Sequence, residues 1–207
     1  MKKLSFIAFL FLAFLLTSNA QNFNGYAVFG FNGSQVIGDA MTGYNKPGLF
    51  AGLKVAFPFK ENIEISTALN YVQKGSRRMY LRDGSPAGSG AWHLMRANYV
   101  EVPLLIHMDL HFLPWPVKLY AGASGARLLN AKIDWQQGGF EEALNVRTYD
   151  ASYHYGLSYD MSDNWMFSVT NSHSFLSFDK QNFALVLYKW RLGSYHNVLN
   201  FEFAYKF

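Results

Sequence analysis

The sequence predicts an all-β fold: an eight-stranded antiparallel up-and-down transmembrane β-barrel with a packed polar lumen. Three observations predict it. Apolar and polar residues alternate through a series of segments, and beyond the N-terminus no apolar run is long enough for a membrane-crossing helix. The connections between segments alternate short and long. A period of two places successive side chains on opposite faces of an extended strand.

Taken in order, the alternating segments lie near residues 23–32, 48–58, 63–74, 96–109, 117–133, 148–161, 165–175 and 195–207. In the second, Leu49, Ala51, Leu53, Val55 and Phe57 oppose Phe50, Gly52, Lys54 and Ala56. In the third, Ile63, Ile65, Thr67, Leu69 and Tyr71 oppose Glu64, Ser66, Ala68, Asn70 and Lys74. The fourth sets Val100, Val102, Leu104, Ile106 and Met108 against Glu101, Pro103, Leu105, His107 and Asp109. The sixth sets Tyr153, Tyr155, Leu157 and Tyr159 against Asp150, Ser152, His154 and Asp160. The fifth, "VKLYAGASGARLLNAKI", breaks its alternation, and a bulge is expected near Gly122 and Gly125. Most segments run about 10 to 14 residues, enough to cross a bilayer at a tilt.

Short connections fall at 59–62, 111–116 and 162–164; long ones fall at 33–47, 75–95, 134–147 and 176–194. Tight periplasmic turns and long extracellular loops are the pattern of outer-membrane barrels. Aromatic residues form 18% of the chain, and they gather at both ends of the segments. Trp115, Trp165 and Phe112 lie by the short turns, and Trp92, Trp135, Tyr149 and Trp190 by the long loops, as two interfacial belts require. A soluble eight-stranded barrel shares the alternation but turns its apolar face inward. The final "NVLNFEFAYKF" separates the two readings. Phe203, Tyr205 and the terminal Phe207 resemble the C-terminal signal read by barrel-insertion machinery, while Glu202 and Lys206 face the other way.

The N-terminus reads as a secretory signal peptide. Lys2 and Lys3 precede the apolar stretch Leu4 to Leu16, and Ser18-Asn19-Ala20 supplies the small-residue cleavage site, so 1–20 is expected to be removed and 21–207 to form the barrel domain. The apolar stretch falls short of the ~18 residues a spanning helix needs. Without Lys2 and Lys3, 16 basic residues remain against 14 acidic, which gives no support for a nucleic-acid partner. The chain has no cysteine and therefore no disulfide framework.

Three motifs carry a family resemblance: Tyr71 to Gly75 in a Tyr-x-x-Lys-Gly pattern, Tyr99 to Leu105 in a Tyr-x-Glu-x-Pro-Leu-Leu pattern, and Tyr120 to Gly122 in a Tyr-x-Gly pattern. With the Gly-rich second segment, they make the chain similar to the PorT-like outer-membrane β-barrel family of Bacteroidetes, over about Gly25 to Phe207. The resemblance implies the barrel fold and an outer-membrane location. The family's name-giving member is a component of the type IX secretion system, whereas most relatives have no assigned role.

The polar faces converge on a lumen charge network: Lys54, Glu64, Lys74, Glu101, Lys118, Asp150, His154, Glu202 and Lys206. An eight-stranded barrel has room inside only for side chains, and unpaired buried charge is costly, so these groups are expected to pair. Glu101 is the expected central residue, with Lys54, Lys74, Lys118 or Lys206 as its partner. Three sharper readings compete with that brace. Asp150, Ser152 and His154 share a face as a hydrolase trio would, but they face a lumen that a lipid substrate does not reach. His107, Asp109 and His111 are metal-capable types, but they lie in a straight line. His173 points away from Ser172 and Ser174. No catalytic residue, metal or cofactor is therefore expected.

Arg77, Arg78 and Arg82 form a candidate loop for lipid phosphates or a partner, since the arginine fork suits phosphate. Phe183, Leu185 and Leu187 make the last loop unusually apolar. The function expected is a non-enzymatic structural or partner-binding barrel. Its alternatives are a secretion-apparatus component, a lipid-modifying enzyme or a small passive pore. The partners expected are outer-membrane lipid, the insertion machinery and secretion-system or envelope proteins.

Overall fold

A computed structural model describes residues 23–39, 43–80, 86–87, 93–134, 140–142, 145–180 and 193–207. Eight long strands form the wall: β1 (Asn24–Ile37), β2 (Lys46–Lys60), β3 (Ile63–Arg77), β4 (Leu94–Asp109), β5 (Val117–Asp134), β6 (Tyr149–Asp160), β7 (Trp165–Ser174) and β8 (Tyr195–Lys206). Each pairs antiparallel with its sequence neighbours, and β1 pairs with β8 from Tyr26↔Lys206 to Ile37↔Tyr195. That last pairing closes the sheet and leaves no open edge, which is the condition for a strand structure in lipid. The signal-peptide segment 1–20 lies outside the described residues.

The start of β1, the end of β8 and the three short turns share one end of the barrel. At the opposite end β1 and β2 run further than their alternation suggests, so the first long connection shortens to 38–45. There the Phe140–Glu142 strand beside β5 extends the sheet beyond the wall, and Met79–Tyr80 pairs with Pro86–Ala87 as a separate two-stranded sheet.

The two faces are inverted relative to a soluble barrel. Leu49 and Leu53 are each 63% exposed and Leu104 is 59% exposed, whereas Lys54, Lys74 and Glu101 are 7%, 1% and 4% exposed. In water the outer wall would be an unstable apolar surface; in a bilayer it is the buried one. Phe112, Trp115 and Trp165 are exposed at the short-turn end, and Tyr149 at the long-loop end. Trp92, Trp135 and Trp190 lie outside the described residues.

The fifth strand corrects one expectation. Its irregularity is not at Gly122 or Gly125, where β5 keeps register with both neighbours. It lies higher, where Tyr99 pairs with Leu128 and Asn98 with Asn130. Leu129 is the extra residue, so Leu128 and Ala131 both turn inward. The inward glycines instead make space. A Cβ on Gly156 would lie 2.7 Å from the Tyr120 hydroxyl and 2.3 Å from the Val169 carbonyl, and one on Gly30 would lie 2.6 Å from the Phe50 ring. Pro103, in the middle of β4, lacks a backbone donor. The Thr67 hydroxyl of β3 donates to its carbonyl at 2.9 Å.

Candidate functional site

The lumen is the first place where the alternation gathers chemistry. Its charges fall into three groups along the axis. Near the short turns, Lys118 on β5 stands 3.3 Å from Asp160 and 4.0 Å from Asp109. Farther in, Lys54 of β2 meets Glu202 of β8 at 2.6 Å, and its Nζ lies 5.4 Å from the Tyr26 ring centre. Toward the long loops, Lys74 of β3 lies between Glu101 of β4, at 3.0 Å, and Asp150 of β6, at 3.3 Å. Lys74 also sits 5.1 Å from the ring centre of Tyr99. Charges this deep need compensation from several sides, and one cation here serves two carboxylates.

Glu101 takes the central position: Ser124 Oγ donates to it at 2.6 Å, and His154 Nε2 approaches the same oxygen at 3.0 Å. Asp150 Oδ2 accepts from Ser174 at 2.8 Å and from Ser152 at 3.4 Å. Glu64 and Lys206 are half-buried and face the lumen near the short turns, in no ion pair among the described residues. Thus Lys74 is the lysine on Glu101, while Lys54 and Lys118 serve other acids.

The trio Asp150, Ser152 and His154 does not assemble, because His154 turns toward β5. A different serine, histidine and carboxylate do meet: Ser124, His154 and Glu101. His154 Nε2 lies 2.7 Å from Ser124 Oγ. A nucleophilic serine gives its proton to imidazole while a carboxylate holds the far ring nitrogen. Here the serine donates to the carboxylate, and both crowd one nitrogen. The geometry makes a cross-strand brace that ties β4, β5 and β6 together. Ser124 carried no signal in the sequence beyond facing inward, since its partners come from neighbouring strands.

The metal-capable histidines are separated. His107 Nε2 bonds Ser66 at 2.7 Å, and His111 Nε2 bonds Asn62 at 2.6 Å. Among the described residues no group of three or more His, Cys, Asp or Glu is arranged to hold a metal ion. His173 turns outward, and its ring stacks on Tyr153 at 5.3 Å.

Above the Lys74 group an apolar cluster enters the lumen beside buried Ser34, Ser76 and His196. Val36, Met95, Ala97, Tyr99, Ile133 and Phe178 form an apolar core there. Phe178 comes from the connection after β7 and is 6% exposed, with its ring edge-on to His196 at 5.0 Å. Backbone bonds hold it in place: Arg147 N–H donates to its carbonyl at 2.8 Å, and its own N–H donates to Ser194 at 2.6 Å. Among the described residues, cavities of about 30 and 50 Å³ lie inside, sharing Asn70, Thr170 and Glu202 in their walls. Each has room for one or a few waters and neither forms a conduit.

Two of the three arginines expected to act together fall among the described residues, on opposite faces of the wall. Arg77 is exposed, Arg78 is buried at 9%, and Arg82 lies outside the described residues, as do Phe183, Leu185 and Leu187. At the C-terminus Phe203, Tyr205 and Phe207 are on the outer wall, with Phe207 76% exposed and its N–H bonded to Gly25 at 3.1 Å. No helix among the described residues is long and apolar enough to cross a membrane.

The model of a family described as "Outer membrane protein beta-barrel domain" matches residues 19–180. Among solved structures, the attachment invasion locus protein Ail of Yersinia pestis superposes with a TM-score of 0.51 at 16% identity, covering 89% of this chain and 98% of its own. Neisserial surface protein A superposes with a TM-score of 0.51 at 12% identity, covering 89% and 97%. At these identities the likeness is one of fold. No curated protein matches the chain.

Proposed function

This chain belongs to the outer membrane protein beta-barrel domain family, and from that premise we propose that it is a non-enzymatic outer-membrane protein, structural or partner-binding. It works through its extracellular loops and lipid-facing wall rather than through its lumen. The observation that carries this reading is the Lys74–Glu101–Asp150 group with Ser124 and His154, which spans the interior and satisfies charge with charge. A lumen filled in this way offers no route for a solute, and it ties Ser124 to Glu101 rather than leaving it to attack one.

The finer assignment is to the PorT-like branch. The motif positions Lys74, Tyr99, Glu101, Tyr120 and Gly122 all face this interior, and Tyr99 and Lys74 are among its most buried side chains. Gly75, which ends the first motif, holds φ 148°, and a Cβ there would lie 2.1 Å from the Met95 carbonyl. The motif residues therefore support a shared lumen brace, and a role within a type IX secretion apparatus is the alternative. Export with removal of 1–20 belongs to the same reading. So does delivery by barrel-insertion machinery through Phe203, Tyr205 and Phe207, whose outward placement suits it.

The test is a pull-down of the tagged chain from gently solubilised native outer membranes, with mass spectrometry of what accompanies it. Envelope proteins recovered in proportion, and lost when the connections after β3 and β7 are replaced by short Gly-Ser linkers, are the expected result. Stoichiometric secretion-system proteins would move the assignment to the apparatus. Partners retained after both replacements would contradict action through the loops.

A further inference from the structure

The wall has a notch at the long-loop end between β2 and β3. Their backbone pairing stops at Phe50↔Val72, so no ladder pair joins Lys46–Leu49 to Gln73–Arg77, although β3 continues beside β4 up to Arg77↔Leu94. A recess of about 600 Å³ occupies the notch. Its charged and titratable lining consists of Lys46, Arg77, His93, Arg96 and Asp134. Gln73, Arg77, Arg96 and Asn98 are outward positions of β3 and β4, alternating with inward Lys74, Ala97 and Tyr99. The recess therefore opens through the outer wall, on the same face as lipid-exposed Leu49 and Tyr71.

Lys46 is the anomaly in it: it holds an inward position of β2, in phase with Phe50 and Lys54, and lines the notch from the lumen side. The residue is 4% exposed, yet its ammonium has no hydrogen-bond or ion-pair partner among the described residues; only its backbone carbonyl is used, accepting from Ser34 Oγ at 3.2 Å. Every other lysine buried in this barrel, Lys54 and Lys74, has a carboxylate. A buried cation without an anion is costly, and here a second cation, Arg96, is near enough to repel it. Arg96 is also directly opposite Lys132 in the ladder, a like-charge pair that weakens a sheet. Glu142 is the ladder partner of Lys132 on its other side, and Asp134 is the single acid lining the recess among the described residues. A bound anion would resolve the imbalance at Lys46. Arginine forks favour phosphate oxygens, and a notch at the outer rim of the lipid-facing band lies at the height of outer-leaflet head groups.

We infer that the notch between β2 and β3 is a binding site for a phosphomonoester anion, held by Lys46, Arg77 and Arg96. The source is a phosphorylated outer-leaflet glycolipid or free phosphate, and the test separates them. The full-length barrel in phosphatidylcholine nanodiscs is titrated with three probes: a disaccharide lipid bearing phosphomonoesters, the same lipid dephosphorylated, and inorganic phosphate. The phosphorylated lipid is expected to bind at least ~10-fold more tightly than its dephosphorylated form, with Lys46→Met and Arg77→Gln each lowering affinity by about tenfold. Lys60→Gln, at the opposite end, is expected to change nothing. Lys46→Met keeps the buried stem, and exposed Arg77 can be changed without touching the core, so a misfolded variant at one position leaves the other to decide. Inorganic phosphate binding that depends on Lys46 and Arg77, with no preference between the lipids, supports the site with free phosphate as its ligand. Binding unchanged in both variants, or no binding of either phosphate probe, would overturn it.

Discussion

Lys74 and Lys54 show what a buried charge requires of its surroundings. Each has an aromatic face, Tyr99 or Tyr26, but Lys74 has two carboxylates and Lys54 one, Glu202 at 2.6 Å. The simpler pair gives the cleaner experiment. Lys54→Met should destabilise the barrel by ~3–5 kcal/mol, because Glu202 is left without its counter-ion. Lys54→Met/Glu202→Leu should recover most of that loss, since an apolar pair of similar volume removes the stranded charge. Urea unfolding in lipid vesicles measures both. At this scale the sequence was partly legible. A period of two was enough to turn Glu101 inward. It was not enough to choose Lys74 over Lys54 or Lys118, because that choice depends on the relative stagger of strands. Ser124 and Phe178 were missed for the same reason: neither is unusual until a distant segment is brought against it. Arg78 had the composition of a loop arginine, but its place one residue beyond β3 turns it inward.

The strands themselves were legible wherever one face is lipid and the other is packed, since a one-residue slip there exchanges the two faces. They became obscure at the long-loop end. Around "GSQVIG" an apolar cluster joins the polar lumen, Val36 enters it, and the contrast that marks a membrane strand fades. β5 shows the rule through its exception. Leu129 stands outside the ladder, so deleting it should join Leu128 to Asn130 without changing which residues face inward. Deletion of Ala123, inside the regular ladder, should turn every later residue of β5 to the wrong face. The Leu129 deletion is expected to retain the folded, heat-modifiable band on gel electrophoresis, and the Ala123 deletion to lose it. Equal behaviour of the two would show that the bulge sits elsewhere.

For the molecule as a whole, closure of β1 on β8 and the filled lumen belong together. A barrel of eight strands has an interior that side chains can fill, and this one fills it with ion pairs at membrane depth and an apolar core beneath Phe178. Closure was legible from the number of alternating segments and the loop lengths. The apolar cap was not, because Phe178 is a single residue in a long connection. The central claim is that the interior is structural and the outer surface functional. It is tested most directly by recording current through the purified, refolded barrel in a planar bilayer across a range of voltages. A quiet membrane is expected, with verified insertion and no stepwise openings. Regular, reproducible conductance steps from the intact chain would contradict the account and make the lumen a pore.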